Sequence, residues 1–338
     1  MKTPKKKITV KDISIALNVS ASTVSRALKN SSEISQKTKE LIWEKAKEMG
    51  YLPNIPVYMQ KQNNRVILFL IDSLNNSSYQ EIIRSAQELL TEKDYFSLIF
   101  FCSQTEPAED FLIKKIKDLD TAGIISLLEN NPKSERIHQK IKEYSLPLVT
   151  AGKSHSDVSD INITPDITNG AYLAANHLIQ RGAKNMLLVT DVNSNFFQNE
   201  LKNGILTALD SDKKIQIDTL VREADSRSLT YKLDRLLENK NSFDSIFAGD
   251  HDTALLIYNH LNARNIKVPD DVMLVSFGNE TTTDQVSSKI STIEFSSANL
   301  GIMAARMIDH IIKGKVIEDT ISIEPVKFII RSSSMKIY

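Results

Sequence analysis

From Arg65 onward, short apolar runs alternate with amphipathic helical patterns, and this alternation limits the possible folds more than any other feature. The first run, Val66–Ile71, is apolar without a break, which is typical of a strand buried on both faces of a parallel sheet. Further strands are expected at 96–102, 122–128, 147–150, 185–190, 215–221, 245–248 and 272–277, with helices between them. Because alternating strands and helices favour doubly wound parallel sheets, and because the series runs twice, the sequence predicts a two-lobe α/β core.

A different pattern precedes this series, in which two short amphipathic helices are predicted on either side of Asn18. Thr9 and Asp12 have the spacing of a capping box at the start of the first helix. Ser20 can cap the second helix, whose polar face is built of small side chains apart from Arg26. A guanidinium in that position suits the O6/N7 edge of a guanine in the major groove. Helical pairs also occur without DNA, so the pattern by itself equally allows a solvated arginine.

The residues around this helical pair resemble the N-terminal headpiece of the lac repressor (LacI/GalR) family of bacterial transcription regulators. The matching pieces are V-S-x-S-T-V-S-R-x-L at 19–28, I-S-x-x-T-K at 34–39 and G-Y-x-P-N at 50–54. The resemblance implies contacts with double-stranded operator DNA. The DNA-binding residues expected on this basis are Ser20, Ala21, Ser22, Thr23, Ser25, Arg26, Lys29, Asn30, Tyr51, Asn54, Met59 and Gln60.

The same resemblance divides the chain into three parts. Residues 1–53 are expected to form the helix-turn-helix headpiece, residues 54–64 a hinge linker, and residues 65–338 a periplasmic-binding-protein-like core that senses a ligand. Each lobe of that core is expected to take its last part from the end of the chain. The predicted boundaries are 65–160 with 293–320 for the first lobe and 161–292 with 321–338 for the second.

The hinge departs from the family pattern at its most specific position. In the family an apolar side chain, usually leucine, wedges into a central base step from the minor groove and bends the operator. The corresponding residue here is Gln60, with Met59 beside it. Either Met59 wedges in a shifted register, or this protein kinks its operator less.

A ligand of the core is expected between the lobes, at the carboxyl ends of the parallel strands. Aromatic surface combined with amides and charges is suited to a sugar or a nucleobase. The candidate effector-binding residues are Asp72, Asn75, Tyr79, Lys153, Asn195, Phe197, Arg227, Asp250 and Asn279. Each of them also fits a solvated loop or a helix cap, and capping competes most directly with binding at Asp250 and Asn195.

Several core positions differ from the family pattern. In the family an arginine is common three residues before the position of Gly204, and this chain has Leu201 there. A guanidinium that could hold a ligand through two hydrogen bonds is therefore missing from its usual place. Arg227 and Lys153 are the candidate substitutes. The other departures are Ser78-Tyr79 for a phenylalanine pair, Asp250-His251 for Asn-Asp, and Gly278-Asn279 for Asp-Asp.

Composition narrows the class of protein. Residues 1–61 contain 12 Lys and Arg against 5 Asp and Glu, whereas the remainder contains 30 against 37. A basic headpiece on an acidic body is typical of a phosphate-binding module joined to a sensor. The single cysteine, Cys102, excludes an intramolecular disulfide and suits a reducing compartment. No apolar run reaches about 18 residues, so a cytoplasmic protein without a membrane partner is expected.

Motifs of nucleotide and hydrolytic enzymes are missing from the sequence, and no cofactor is expected. Asp250, His251 and Asp252 are consecutive and point in different directions, which disfavours a metal site. The expected function is therefore a dimeric transcription regulator, more specifically a repressor, modulated by a small sugar-like molecule. Two alternatives stay open: a core that answers to a partner protein or to no ligand, and a small-molecule carrier or enzyme on the two-lobe fold.

Overall fold

A computed structural model of the chain separates it into two units, Met1–Asn64 and Arg65–Tyr338. The described residues are 8–28, 31, 33–49, 51, 66–74, 76–102, 107–119, 121–191, 195–209, 215–222, 226–238, 243–278 and 289–336. The predicted hinge at 54–64 lies outside them.

The described residues of the first unit form three helices. They are α1 Val10–Leu17, α2 Ala21–Leu28 and α3 Gln36–Glu48. The capping box predicted at Thr9 and Asp12 is present, and Asn18 ends α1 with a φ of 52°, the left-handed conformation that asparagine tolerates at a tight corner. Trp43 packs against the small core of this unit. That core consists of Ile13, Val24, Ala27, Leu28, Ile42 and Ala46.

Strands and helices alternate through the second unit, as the sequence predicts. The strands are β1 Val66–Ile71, β2 Phe96–Phe101, β3 Thr121–Ser126, β4 Leu148–Ala151, β5 Ile161–Pro165, β6 Asn185–Asp191, β7 Gln216–Arg222, β8 Ser245–Ala248, β9 Met273–Phe277, β10 Ser291–Phe295, β11 Ile321–Glu324 and β12 Val326–Ile329. The helices are α4 Ser77–Glu92, α5 Pro107–Asp118, α6 Pro132–Glu143, α7 Ile167–Gln180, α8 Asn195–Ala208, α9 Ser226–Leu237, α10 His251–Ala263 and α11 Ser297–Ile312.

Within the described residues these strands form two six-stranded sheets, one in each lobe. The first has the order β11-β5-β4-β3-β1-β2, and the second has the order β12-β10-β9-β8-β6-β7. Every pairing is parallel except that of β10 with β12. All six residues of β1 are buried, as expected for a strand covered on both faces. The predicted mixed α/β fold with two parallel-dominated sheets is confirmed.

Strand pairing moves the predicted lobe boundaries. The second lobe was predicted to begin at residue 161, but β5 pairs with β4 and belongs to the first sheet. Likewise β10 belongs to the second sheet, and β11 belongs to the first. The predicted boundaries at 160 and 320 therefore lie one strand too early, and the boundary at 292 falls inside β10. The short strand β5 was not predicted, because its sequence INITP lacks the continuous apolar run of a strand such as β1.

Two helix pairs pack at unusually short range, and a glycine lies at each contact. In the second lobe α8 meets α7 at Gly204, where an added Cβ would overlap the carbonyl oxygen of Thr168. In the first lobe α11 meets α4 at Gly301, where an added Cβ would overlap the carbonyl oxygen of Ile82. Because these obstacles are backbone atoms, a side chain cannot be accommodated by a rotamer change.

A buried histidine makes the stability of the core depend on pH. His138 on α6 is 1% exposed, and its Nε2 lies 2.8 Å from the Ser126 hydroxyl. Burial lowers its pKa from 6.5 to about 4. The unfolded chain therefore binds this proton below about pH 6.5 while the native chain does not. The free energy of unfolding should fall by roughly 3 kcal/mol as pH drops from about 6.5 to 4.

Urea unfolding of wild type and His138→Gln across this pH range measures that contribution. The variant should have a flatter pH profile than the wild-type protein. Burial also lowers the pKa of His177, so part of the slope should remain in the His138 variant. Equal slopes in wild type and His138→Gln would rule the explanation out.

Candidate functional site

The first candidate site is the exposed face of α2 in the headpiece. The Ser20 hydroxyl accepts a hydrogen bond from the Thr23 amide at 3.0 Å, which confirms the predicted cap. Ser20, Ala21, Ser22 and Arg26 are exposed, whereas Thr23 and Ser25 are partly covered. Small side chains around one long cationic side chain allow close approach to a groove. The geometry thus agrees with the interface that the sequence predicted on this helix.

Arg26 has an acidic neighbour that sequence reasoning missed. Its Nη1 lies 2.9 Å from Glu33 Oε2, and both side chains are largely exposed, at 59% and 65%. An exposed ion pair contributes little to stability, so the guanidinium can exchange this partner for a base. Tyr51 packs partly buried against the headpiece core. Lys29, Asn30, Asn54, Met59 and Gln60, also predicted to bind DNA, lie outside the described residues.

The second candidate site is a cavity of about 280 Å³ between the two lobes of the core. It opens at the carboxyl ends of β1, β7, β8 and β9, where the parallel fold was expected to hold a ligand. Five of the nine predicted effector residues line it: Asp72, Tyr79, Lys153, Phe197 and Asp250. Asn75 and Asn279 lie outside the described residues, and for Asn195 only the backbone at the start of α8 is described.

On the first-lobe wall a carboxylate and a phenol are paired. Asp72 Oδ2 accepts a hydrogen bond from the Glu129 amide at 2.9 Å, and the Tyr79 hydroxyl bonds to the same carboxyl group. Burial raises the pKa of Asp72, although these hydrogen bonds oppose the rise. Burial, reinforced by the carboxylates of Asp72 and Glu129, raises the pKa of Tyr79 well above its usual value. Tyr79 therefore stays a neutral hydroxyl donor and fixes the orientation of Asp72.

On the second-lobe wall an arginine meets the start of α10. Asp250 caps this helix, accepting from the Thr253 amide at 2.7 Å and from the Thr253 hydroxyl at 2.6 Å. Arg222, the last residue of β7, donates from Nη1 to the Thr253 hydroxyl and lies 3.8 Å from Asp250 Oδ1. The predicted cap at Asp250 is therefore confirmed, and because this residue also lines the cavity, its binding of a ligand stays a prediction.

Lys153 links the two lobes across the cavity. It follows β4 in the first lobe, and its Nζ donates to the carbonyl oxygen of Gly249 in the second lobe at 2.8 Å. The ammonium also lies 4.4 Å from the ring centroid of Phe197 and 5.6 Å from that of Phe277. A cation over an aromatic face in a partly desolvated cleft contributes about 1–2 kcal/mol. Lys153 therefore stabilises a closed arrangement of the lobes.

Replacing Lys153 with methionine should open the core. Loss of the carbonyl hydrogen bond and of the cation–π contact is expected to shift the balance between closed and open lobes by about tenfold. Small-angle scattering from the ligand-free protein should then report a larger radius of gyration. Lys142→Met is the matched control, because its ion pair with Asp160 lies within the first lobe. An unchanged scattering curve for Lys153→Met would contradict the linking role.

One sequence expectation about an arginine differs from the structure. Arg227 is not a lining residue and lies exposed on α9, whereas Arg222 lines the cavity. Because Arg222 directly follows the predicted strand 215–221, the rule about carboxyl strand ends could have identified it. Leu201, where the family commonly has an arginine, is fully buried in the core. That position therefore contributes packing and no ligand contact.

Several other lining residues also escaped the sequence analysis. Phe277 and Phe295 end β9 and β10, so their place at the strand termini was a usable signal. Glu129 directly follows the predicted strand 122–128 and His251 is next to Asp250, so the ends of strands were a usable signal for these two residues as well. Among the described residues, no group of three or more His, Cys, Asp or Glu side chains is placed to hold a metal ion. Likewise, no helix in the described part of the chain has the length and apolarity needed to cross a membrane.

The chain combines a helix-turn-helix headpiece with a two-lobe α/β core that has a cavity at its strand ends. These features define a class of protein, the DNA-binding regulators with a periplasmic-binding-protein-like sensor. Residues 9–54 match the family described as "Bacterial regulatory proteins, lacI family", and residues 175–334 match the "Periplasmic binding protein-like domain". The chain thus carries a DNA-binding domain of the lacI family and a periplasmic-binding-protein-like domain. The resemblance found in the headpiece sequence is thereby confirmed.

The chain is similar to known relatives and to solved structures over most of its length. The "Ribose operon repressor" of Lactococcus lactis is 24% identical over 329 residues, covering 96% of this chain and 97% of that protein. A lac repressor dimer bound to operator and the anti-inducer ONPF has a TM-score of 0.71 at 17% identity, covering 97% of this chain and 99% of that one. A LacI family regulator from Enterococcus faecium with bound ribose has a TM-score of 0.69 at 19% identity, covering 81% of this chain and all of that one. These two structural likenesses show the fold.

Proposed function

We propose that this lacI family regulator is a homodimeric repressor that binds a pseudo-palindromic operator and responds to a small sugar-like molecule in the interlobe cavity. The observation that carries the DNA-binding half is the exposed face of α2, with Arg26 among small polar side chains. In a dimer each headpiece reads one half-site, so the two-fold symmetry of the protein matches that of the operator. Lobe closure around a ligand then changes how the two headpieces are presented.

The dimer is supported by an apolar edge on the first sheet. Strand β2 lies at the end of that sheet, and Phe96, Ile99 and Phe101 on it are 68%, 54% and 46% exposed. Phe111 on the neighbouring helix α5 is 53% exposed. An exposed apolar edge strand promotes association unless another chain covers it. A second copy of this chain is the proposed occupant, in agreement with the operator-bound dimer of the lac repressor relative.

Sedimentation equilibrium tests this assembly. The wild-type protein should sediment as a dimer at micromolar concentration, and Ile99→Lys should weaken the dimer by placing a charge on the edge. A lysine at the exposed Ile15 of the headpiece, which is 70% exposed, is a control for the added charge alone. Monomeric wild-type protein would contradict the proposal.

A sugar-like ligand is supported by the chemistry of the cavity. Phe197 and Phe277 offer apolar ring surface, while Asp72, Asp250 and Arg222 offer polar groups around it. Apolar and polar groups combined in this way bind a ring that is apolar on its faces and polar at its rim. The ribose-bound relative and the ribose operon repressor add support from the same family.

Selection from a randomised duplex library tests DNA binding by the full chain. Recovered sequences should contain an inverted repeat of two half-sites, and affinity should fall steeply with salt because phosphate contacts dominate it. Adding a saturating ligand should then change operator affinity. Recovery of unrelated sequences would contradict sequence-specific repression.

A second candidate function keeps the DNA-binding role but gives the core no small ligand. This function is favoured by Leu201, because a buried apolar side chain occupies the position where the family commonly has an arginine. Under this function the core answers to a partner protein or to nothing. Thermal-shift screening separates the two, because a saturable shift with any sugar favours the first function.

A further inference from the structure

The charges around the interlobe cavity are unequal and indicate which ligands it accepts. Among the described residues, its charged lining consists of the carboxyl groups of Asp72, Glu129, Asp250 and Asp252 against the cations Lys153 and Arg222. Burial raises the pKa of Asp72, yet counting that group as neutral still leaves three carboxylates against two cations. Because the surroundings are partly desolvated, this excess repels a negatively charged ligand more strongly than it would in open water.

Both cations in the lining are already engaged by the protein. Lys153 donates to the Gly249 carbonyl at 2.8 Å and lies over the ring of Phe197. Arg222 donates to the Thr253 hydroxyl and lies 3.8 Å from the Asp250 carboxylate. A ligand phosphate or carboxylate would have to compete for these groups and leave Asp250 without its neighbouring charge. Neutral hydroxyl groups can instead donate to the carboxylates, each of which has lone pairs for several hydrogen bonds.

The remaining wall is aromatic and the space is small. Phe197 and Phe277 meet edge to face with ring centroids 5.3 Å apart, and Phe295 lies 6.0 Å from Phe277. These rings are at most 8% exposed, and Lys153 already lies over that of Phe197, so they close one side of the cavity and limit its size. The cavity volume of about 280 Å³ lies just below the range of about 300–1,000 Å³ that holds drug-sized ligands. One saccharide ring fits such a space better than two.

We propose that the cavity selects a neutral, polyhydroxylated ring of monosaccharide size and rejects the phosphorylated and carboxylated forms of the same ring. This inference rests on the proposed function, since it concerns the ligand of the sensor core. The carboxylates of the two walls accept hydrogen bonds from the ring hydroxyls, and the three phenylalanines limit the space that the ring can occupy. The selection acts through charge, so it discriminates between sugars that differ by a single anionic group.

Calorimetry and thermal-shift titration of the full chain test this selection. The panel pairs D-ribose with ribose 5-phosphate, D-glucose with glucose 6-phosphate and glucuronate, D-galactose with galacturonate, and D-fructose with fructose 6-phosphate, and includes maltose and cellobiose. At least one neutral monosaccharide should produce a saturable shift. Its anionic partner should bind at least tenfold more weakly.

A charge variant shows whether the acidic lining causes the rejection. Asp252 is an exposed lining residue, so Asp252→Asn should fold normally. It should narrow the gap between a sugar and its phosphate by about tenfold, because one nearby negative charge is removed. Asp270→Asn is the matched control, since Asp270 is exposed in the same lobe and is not part of the lining. An equal effect of both variants would show a general charge effect and overturn the assigned cause.

The outcomes separate this inference from the function on which it rests. Tighter binding of a phosphate or a uronate overturns the selection for neutral rings but leaves a ligand-responsive regulator in place. Binding of a disaccharide without any monosaccharide overturns the size assignment in the same way. A panel in which no member gives a saturable shift overturns both the inference and the ligand response, and favours the second candidate function.

Discussion

Replacing Arg26 with alanine is expected to reduce specific operator binding by about 1–3 kcal/mol and to relax preference at one guanine in each half-site. The reason lies in the geometry of α2, where Arg26 is the long donor among small exposed side chains. A bidentate contact with guanine O6 and N7 distinguishes that base from the other three. Mobility-shift titrations against the selected operator and its single-base variants measure both effects.

Two further variants control this prediction. Lys29→Ala should weaken binding to all sequences about equally, because a lysine contact with a backbone phosphate carries no sequence information. Glu33→Gln removes the acidic partner that lies 2.9 Å from Arg26, and it should strengthen DNA binding without changing the preferred base. Retention of the full base preference in Arg26→Ala would exclude a base-reading role for this residue.

Placing an alanine at Gly204 should destabilise the core by roughly 2–3 kcal/mol, and an alanine at Gly301 should do the same. The added Cβ at Gly204 would overlap the Thr168 carbonyl oxygen and approach Ala171 Cβ to 2.6 Å. At Gly301 it would overlap the Ser85 hydroxyl and the Ile82 carbonyl oxygen. Alanine normally favours a helix over glycine, so intrinsic propensity predicts the opposite sign.

Thermal unfolding separates these two effects. Both glycine variants should lower Tm by several degrees, because the helices must move apart. Asn203→Ala is the matched control, since this exposed neighbour on α8 should leave Tm nearly unchanged or raise it. A stabilised Gly204→Ala protein would mean that helix propensity outweighs the close approach.

The local features of the fold were predictable because their causes lie within a few residues. The capping box at Thr9 and Asp12 and the left-handed turn at Asn18 follow from side-chain chemistry at fixed spacing. The buried strand β1 follows from an uninterrupted apolar run. These features were enough to predict most of the fold and the class of protein.

The features that sequence reasoning missed depend on contacts between distant residues. The membership of β11 in the first sheet is decided by its pairing with β5, which lies more than 150 positions earlier, and no local pattern encodes this pairing. In the cavity, Asp72 and Asp250 were found from strand ends, and Glu129, directly after the predicted strand 122–128, could have been found in the same way. Its hydrogen bond to Asp72, by contrast, depends on the pairing of β1 with β3.

The order of strands in the two sheets bears on how the protein can be made. The first sheet is completed by β11 and the second by β12, two strands separated by a single residue near the end of the chain. During synthesis neither lobe can finish its sheet until almost the whole polypeptide has left the ribosome. A chain released before Ile321 would leave both lobes with an open edge at the same time. Truncated products of this gene should therefore be cleared as misfolded protein, and half-length sensors should not accumulate.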